Sequence, residues 1–312
     1  MSEEREVLGR IPPAVVVVGQ AGRDMVLHVL RVPDAGGSAS VDSAMEMVGG
    51  KGVNQAVGLH QLGASVRLIG VVGADAVGEN LLREVVRDGI DVRWVALRGP
   101  SALLVDIVDD DNSRRLLEHV PAESQVTADD IHTAVASGVL DGADTICLQM
   151  QQPVDALLCA AKAARSRQMR IVLDGAVEGP GRETLLHYAD VVRANAVEAE
   201  ILAGVRIGSV DDARRAAKML LDAGPGLVAI TVDTRGEFVA WQDGELFIPF
   251  GDDPVVDPTG AGDAFVAGLV TGLRAGFDAG KAGRLASTAA ATTIGHLGGR
   301  PDLAGLRGEQ GR

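Results

Sequence analysis

The chain is short of positive charge. Its 29 Lys and Arg stand against 43 Asp and Glu, giving a net charge of −14 and a pI near 4.8. That balance argues against a nucleic-acid or anionic-membrane surface, because phosphate groups are held by clustered Lys and Arg, so an anionic ligand would need a local site. The sequence also lacks any run approaching the roughly 20 apolar residues of a membrane span, and its start, MSEEREVLGR, is charged where a signal peptide would be apolar. A cytoplasmic protein is expected. Cysteine is nearly missing: Cys147 and Cys159 sit in apolar runs without metal-ligand spacing, which reads as buried reduced thiols. The six histidines (His28, His60, His119, His132, His187, His296) are scattered, and no H-E-x-x-H or G-x-S-x-G occurs, which disfavours a metallohydrolase or a serine hydrolase.

What is present is a core. With 312 residues, 46% of them hydrophobic, the chain can bury one large α/β domain or two smaller ones. Short β-rich runs recur at 14–19, 66–73, 144–149, 170–175, 190–195 and 227–233, separated by amphipathic stretches. In 78–89, Leu81, Leu82, Val85 and Val86 share one helical face; in 211–224, Ala213, Ala217, Leu220 and Leu221 do. The alternation predicts a doubly wound, mostly parallel sheet flanked by helices. Two regions break it: no helix is evident between Met25 and Val48, and the runs 102–108 and 114–120 flank the turn-rich Asp109-Asp110-Asp111-Asn112-Ser113. They predict a small antiparallel β lid formed by 25–48 and 98–121, with 1–24, 49–97 and 122–312 as the α/β domain. Such a lid would hang over the carboxyl ends of the parallel strands, where open α/β folds bind ligands.

The strongest local signal is Asp257-Pro258-Thr259-Gly260-Ala261-Gly262-Asp263, a glycine-rich turn running into a helix-like segment. Backbone N–H groups of Gly260, Ala261 and Gly262 at a helix N-terminus can form an anion site. Asp263 falls in the first turn beside it, where a carboxylate can take a proton from an attacking hydroxyl; phosphoryl transfer needs little more than positioning and charge stabilisation. In isolation the motif reads first as a structural loop with an acidic helix start.

A second glycine-rich segment, Gly49-Gly50-Lys51-Gly52-Val53-Asn54, opens another helix. Met45 and Gly52 occupy the places where a P-loop requires Gly and Ser or Thr, and Phe265 occupies the third glycine place of a dinucleotide motif at the other loop. Neither nucleotide pattern is met. Gly50, Lys51 and Asn54 suit a polyhydroxylated ligand, or simply start a helix. Asn195 and Glu198 follow an apolar strand with capping-box spacing, and from that position Glu198 can also reach a hydrated magnesium ion. Asp24, after the first strand, can accept hydrogen bonds from adjacent ligand hydroxyls.

Taken together these segments resemble the ribokinase-like, phosphofructokinase-B type family of carbohydrate kinases, through GGKGVNQAVGLHQLGA (49–64), NAVE (195–198) and DPTGAGDAFVAGL (257–269), in the family's order along nearly the whole chain. The resemblance implies an ATP- and Mg2+-dependent kinase acting on a primary hydroxyl of a small sugar. In it Asp263 is the base, Gly260, Ala261 and Gly262 are the anion hole, and Asp24, Gly50, Lys51 and Asn54 contact the sugar. Asn195 and Glu198 organise magnesium and phosphate, and Thr231, Asp233 and Gly236 hold ATP. A monovalent cation, K+ for example, is implied near Asp257 and the loop carrying Asp302. A homodimer through the lid is implied too. The sequence departs from ribokinase at Gly22, which replaces a sugar-binding Asn, and at Gln151, which replaces a Glu; Asp233 replaces a glycine and Asp302 a serine. From the first pair, ribose is expected not to be the best acceptor, with Gly22 leaving room for a larger sugar or a nucleoside. Nucleoside or sugar-phosphate kinases of the same fold are alternatives, as is a non-catalytic sugar or nucleotide sensor.

Overall fold

The computed structural model describes residues 14–110, 114–251 and 255–311. From its start the chain forms β1 (Ala14–Val18), β2 (Gly22–Val29), β3 (Val41–Gly49), α1 (Lys51–Gln61), β4 (Ser65–Val72), α2 (Ala76–Arg87), β5 (Asp91–Leu97), β6 (Ala102–Asp109) and β7 (Arg114–His119). There follow α3 (Ala128–Ala136), β8 (Ala143–Gln149), α4 (Val154–Arg165), β9 (Arg170–Asp174), α5 (Arg182–Tyr188), β10 (Val191–Ala194), α6 (Ala196–Ala203) and α7 (Val210–Asp222). The chain closes with β11 (Leu227–Val232), β12 (Gly236–Trp241), β13 (Gly244–Pro249), α8 (Ala261–Arg274) and α9 (Ala279–Thr293).

Among the described residues nine strands make one sheet, in the order β13-β12-β11-β10-β9-β8-β1-β4-β5. The pairs from β11 to β5 are parallel; β12 and β13 add an antiparallel edge. Central strands such as AVVVV in β1 are buried along their whole length, as a parallel strand covered on both faces requires. One apolar core, against α3 to α7, holds Ile131, Ile146, Leu157 and Phe238; the other, against α1, α2, α8 and α9, holds Leu59, Leu68 and Phe265. Full burial of one such side chain stabilises by roughly 1.5–3 kcal/mol. The two expected amphipathic helices are α2 and α7, but Val86 is 54% exposed and takes no part in the apolar face. The edge hairpin β12–β13 was not anticipated. Its signal is Asp243-Gly244 between two β-rich runs.

Strand order runs outward from β1 through β4 to β5, then resumes on β1's other side with β8. Ligand crevices of open α/β sheets lie at such a reversal. There Gln149 Oε1 accepts from the Gln20 N–H at 3.0 Å, and a Cβ on Gly19 would stand 2.2 Å from that oxygen. Only glycine lets the two carboxyl ends meet.

A second, four-stranded sheet has the order β3-β2-β6-β7. β2–β3 and β6–β7 are antiparallel, while the central pair β2–β6 is parallel, because both strands leave the large sheet from its carboxyl edge and so point the same way. β2 begins at Gly22, which puts Asp24 on the small sheet itself. Of the turn expected at 109–113, residues 111–113 lie outside the described residues, as do residues 1–13.

Candidate active site

Two helices open onto one cavity. α8 starts at Gly260, whose φ of 76° is left-handed, and no side chain caps its N-terminus; α1 starts at Gly50, φ 86°, also without a side-chain cap. The first N–H groups of a helix have no partner within it; here the Val53 N–H donates to the Gln20 oxygen at 3.3 Å and the Ala261 N–H to the Pro258 oxygen at 3.4 Å, and the other first-turn groups are donors that each end can offer. A Cβ on Gly260 would lie 2.0 Å from the Gly299 carbonyl oxygen, so this turn admits glycine alone. The helices also approach closely where Gly58 faces Ala267, since a Cβ there would stand 2.9 Å from the Ala267 Cβ.

That approach carries α1 side chains to Asp263. Asn54 Nδ2 donates to Asp263 Oδ2 and Gln55 Nε2 to Oδ1, each at 3.2 Å; Gln55 Nε2 also donates to Asp174 Oδ2 at 2.9 Å. Asp263 and Asp174 are 5% and 2% exposed. Burial and then the Asp174 charge push the Asp263 carboxyl up to about 7, against the pull of Lys51, Gln55 and Asn54. Asp174 is itself raised by burial, opposed by Lys51 and Arg193.

Behind the anion loop lies Arg193, buried and reaching into the cavity from β10. It pairs with Asp174 Oδ1 at 3.4 Å and donates to Thr231 Oγ1 at 2.9 Å; Thr231 in turn donates to Glu237 at 3.1 Å. A Cβ on Gly262 would lie 2.3 Å from Arg193 Nη1, so the guanidinium sits directly against the loop and a larger residue there would displace it. Burial raises the Glu237 carboxyl to about 7, with Arg193 and Thr231 opposing.

On α6, Asn195 and Glu198 form a reciprocal capping box: the Glu198 N–H donates to Asn195 Oδ1 at 2.9 Å and the Asn195 N–H to Glu198 Oε2 at 2.8 Å. Glu198 Oε1 meanwhile accepts from Lys51 Nζ at 3.0 Å. Although burial favours its neutral form, Lys51 and Arg193 hold this carboxyl below its ordinary range. Burial likewise pulls Lys51 down, but Asp174, Glu198 and Asp263 outweigh it and raise the ammonium. Both oxygens of Glu198 are engaged, so the residue fits a magnesium ion held through water rather than by direct ligation. Among the described residues there is no group of three or more His, Cys, Asp and Glu side chains suited to hold a metal.

The cavity has a volume of about 800 Å3. Of the residues singled out in the sequence it brings together Asp24, Gly50, Lys51, Asn54, Gln151, Asn195, Glu198, Thr231, Asp233, Gly260, Ala261, Gly262 and Asp263. Three do not line it. Gly236 lies in β12, where a Cβ would be 2.3 Å from the Ile248 carbonyl oxygen; its role is to let β13 pass. Asp257 is buried, with Oδ1 accepting from the Thr259 N–H and hydroxyl and Oδ2 from the Gly298 N–H at 2.8 Å, so it ties the anion loop to the 298–302 loop. Asp302 is exposed. Asp233, in a glycine's place, has φ 47°, the conformation glycine adopts freely.

The space left by Gly22 has a neighbour that the sequence did not show: a Cβ there would lie 3.1 Å from Leu104 Cδ1 and 3.2 Å from Ala102, so Leu104, from β6, packs beside it. Sequence reasoning also missed Gln55, Asp174, Arg193, Glu237, Asp106 and Arg114. An arginine inside the apolar run VVRA, and an aspartate ending RIVLD, were the available signals, since such residues are seldom buried unless paired.

A family model described as pfkB family carbohydrate kinase matches residues 13–304. A ribokinase of Haemophilus influenzae is 27% identical over 292 residues, covering 93% of this chain and 94% of that protein. An ATP-dependent ribose-1-phosphate kinase of Halopiger xanaduensis is 29% identical, covering 92% and 93%. Among solved structures, Arabidopsis thaliana ribokinase complexed with ribose and ATP superposes with a TM-score of 0.79 at 23% identity, covering 97% of this chain and all of that one. The family model spans nearly the whole chain and the fold superposes on a ribokinase: the chain belongs to the pfkB family of carbohydrate kinases, phosphotransferases with an alcohol group as acceptor.

Proposed function

We propose that this chain transfers the terminal phosphoryl group of ATP to a primary hydroxyl of a small sugar, with Asp263 as the base. The observation that carries this reading is the uncapped N-terminus of α8 facing the cavity, with a buried carboxylate in its first turn. The acceptor hydroxyl lies against Asp263, which takes its proton as the oxygen attacks. The N–H groups of Gly260, Ala261 and Gly262 hold the charge that develops on the transferred group, and the dipole of α8 adds to them. Asn54 and Gln55 fix the carboxylate's orientation, so little reorganisation accompanies the reaction. Asp24, Gly50, Lys51, Asn54 and Gln151 face the sugar; Asn195, Thr231 and Asp233 face the donor. Magnesium, when bound, neutralises phosphate charge, and Glu198 orients its water shell. A cytoplasmic location, where ATP is supplied, belongs to the same reading.

The test is a coupled ADP-release assay with ATP, magnesium and a panel of pentoses, hexoses, sugar phosphates and nucleosides. Turnover with one of these that disappears in Asp263→Asn is the expected result. ATP and sugar binding without turnover at any pH would instead identify a ligand sensor.

A homodimer through the lid is part of the reading. The outer lid face alternates the half-buried Leu103, Val105 and Ile107, Leu117 beside them is 60% exposed, and among the described residues β3 and β7 are the edge strands of the small sheet. Light scattering at micromolar protein should give twice the chain mass, and a monomer mass refutes it.

A further inference from the structure

The lid wall of the cavity is more polar than a lid needs. β6 and β7 turn Leu104, Asp106, Arg114, Leu116 and Glu118 toward the ligand space. The Asp106 side chain is only 2% exposed and accepts from Arg114 Nε across the hairpin. In the parallel β2–β6 register Asp24 pairs with Leu104 and Val26 with Asp106, so Asp24 and Asp106 are diagonal neighbours on one face. Asp24 is 4% exposed, and its Oδ1 has no hydrogen-bond partner. Two carboxylates thus face the same space, and the Arg114 guanidinium and the Gly50 N–H offset only part of the repulsion between them. Burial, then Asp106 and Asp263, push the Asp24 carboxyl up to about 7.

This arrangement does not serve stability. A buried ion pair is often no better than apolar residues of its volume, and a leucine at 106 would join Leu104 and Leu116 in an apolar lid. The two carboxylates instead offer acceptor lone pairs, and Arg114 keeps N–H groups beyond the one bonded to Asp106; together they match hydroxyls, which both donate and accept. A phosphorylated acceptor would fare badly. Of the cations lining this end, Arg114 is held by Asp106 and Lys51 by Glu198, while Asp24, Asp106 and Glu118 would face the added negative charge. Leu104 also packs beside Gly22, where a nucleobase would need space.

We propose that the Asp106–Arg114 pair, with Asp24, selects an uncharged, hydroxyl-rich acceptor, a free sugar or polyol hydroxylated at the end remote from the alcohol that is phosphorylated, over sugar phosphates and nucleosides. The inference rests on the reading that the acceptor occupies the Asp24 end of the cavity. Asp106 is a specificity-determining residue in it, and its signature is in acceptor KM.

The experiment compares free pentoses and hexoses, 2-deoxyribose, ribose 1-phosphate and adenosine by ADP release, and by calorimetry without ATP, in wild type, Asp106→Leu and Asp106→Asn. The expected result is a free sugar as best acceptor, with the phosphate weaker by about tenfold or more. Asp106→Leu should raise the free sugar's KM about tenfold, as loss of a charge-assisted hydrogen bond does, while the KM for ATP moves less than about twofold. Asp106→Asn keeps one acceptor oxygen and should give a smaller rise; should the leucine variant fail to fold, an unchanged KM in the asparagine variant overturns the proposal. Preference of the wild type for ribose 1-phosphate or adenosine also overturns it. The underlying kinase reading fails separately. Calorimetric sugar binding that depends on Asp106, without turnover, would sink the kinase and leave the selection standing, whereas turnover with an unchanged acceptor KM does the reverse.

Discussion

At the catalytic end of the cavity Asp263 is gripped by two amides of α1, and those amides are themselves placed by the close contact of α1 with α8 at Gly58. At the lid end Asp24 Oδ1 has no partner, and the Arg114 side chain, 30% exposed, reaches over from a hairpin with few contacts beyond its own sheet. One end is held by hydrogen bonds among its own side chains; the other keeps a carboxylate oxygen without a partner. The difference separates two kinetic signatures. Changes at the catalytic end should fall on kcat, because its interactions matter most in the transition state, and changes at the lid end should fall on acceptor KM.

The sharpest test of that contrast is Asp263→Asn. It deletes the base while leaving shape intact, so kcat should fall by roughly 10²–10⁴-fold with acceptor and ATP affinities largely kept. Retention of more than about a tenth of wild-type kcat would remove the distinction between the ends, because a general base contributes far more than that.

A smaller loss is expected from Gly58→Val, which touches no ligand. The added side chain must push α1 from Ala267, an overpacking that destabilises by about 1–3 kcal/mol and drags Asn54 and Gln55 off Asp263. Melting temperature and kcat should drop together. A lower melting point with normal kcat would mean that the hold of α1 on Asp263 is dispensable.

The pH profile sharpens the comparison further. In the proposed reaction Asp263 works as the carboxylate, which burial and the Asp174 charge push up to about 7, so kcat/KM should rise through that pH and fall about tenfold per unit below it. Because the Asp174 charge is among the causes of the raised value, Asp174→Asn should move the acid limb to lower pH. A limb that stays fixed in this variant, or moves upward, contradicts the electrostatic link through Gln55.

What could be read in advance follows the same division. The anion loop, Asp263 and the Asn195–Glu198 box are encoded within a few consecutive residues, where helix starts and glycine turns leave a local signature. The parallel core strands were legible for a similar reason, as unbroken apolar runs. Gln55, Asp174 and Arg193 were not, because the chemistry that joins them spans separate elements, a helix and a strand 119 residues apart in the chain for Gln55 and Asp174. Gly22 shows the limit most plainly. Its missing side chain suggested a gap, and the β2–β6 register sets Leu104 beside it.

Glu198→Gln should have the smallest effect, because this residue touches both roles at once and the replacement keeps one of them. Asn195 Oδ1 still accepts from the backbone N–H of residue 198, so α6 keeps its cap and little of the roughly 0.5–2 kcal/mol that a cap contributes is lost. What disappears is a charge. Lys51 loses its 3.0 Å carboxylate partner, and a hydrated magnesium ion near the phosphates loses an anion that its waters can donate to. The expected outcome is a several-fold higher magnesium concentration for half-maximal rate, with a modest fall in kcat and an almost unchanged melting temperature. A variant that melts early yet works normally at ordinary magnesium would assign Glu198 to helix capping alone. It would also leave the donor side of the catalytic end without a residue that orients the metal.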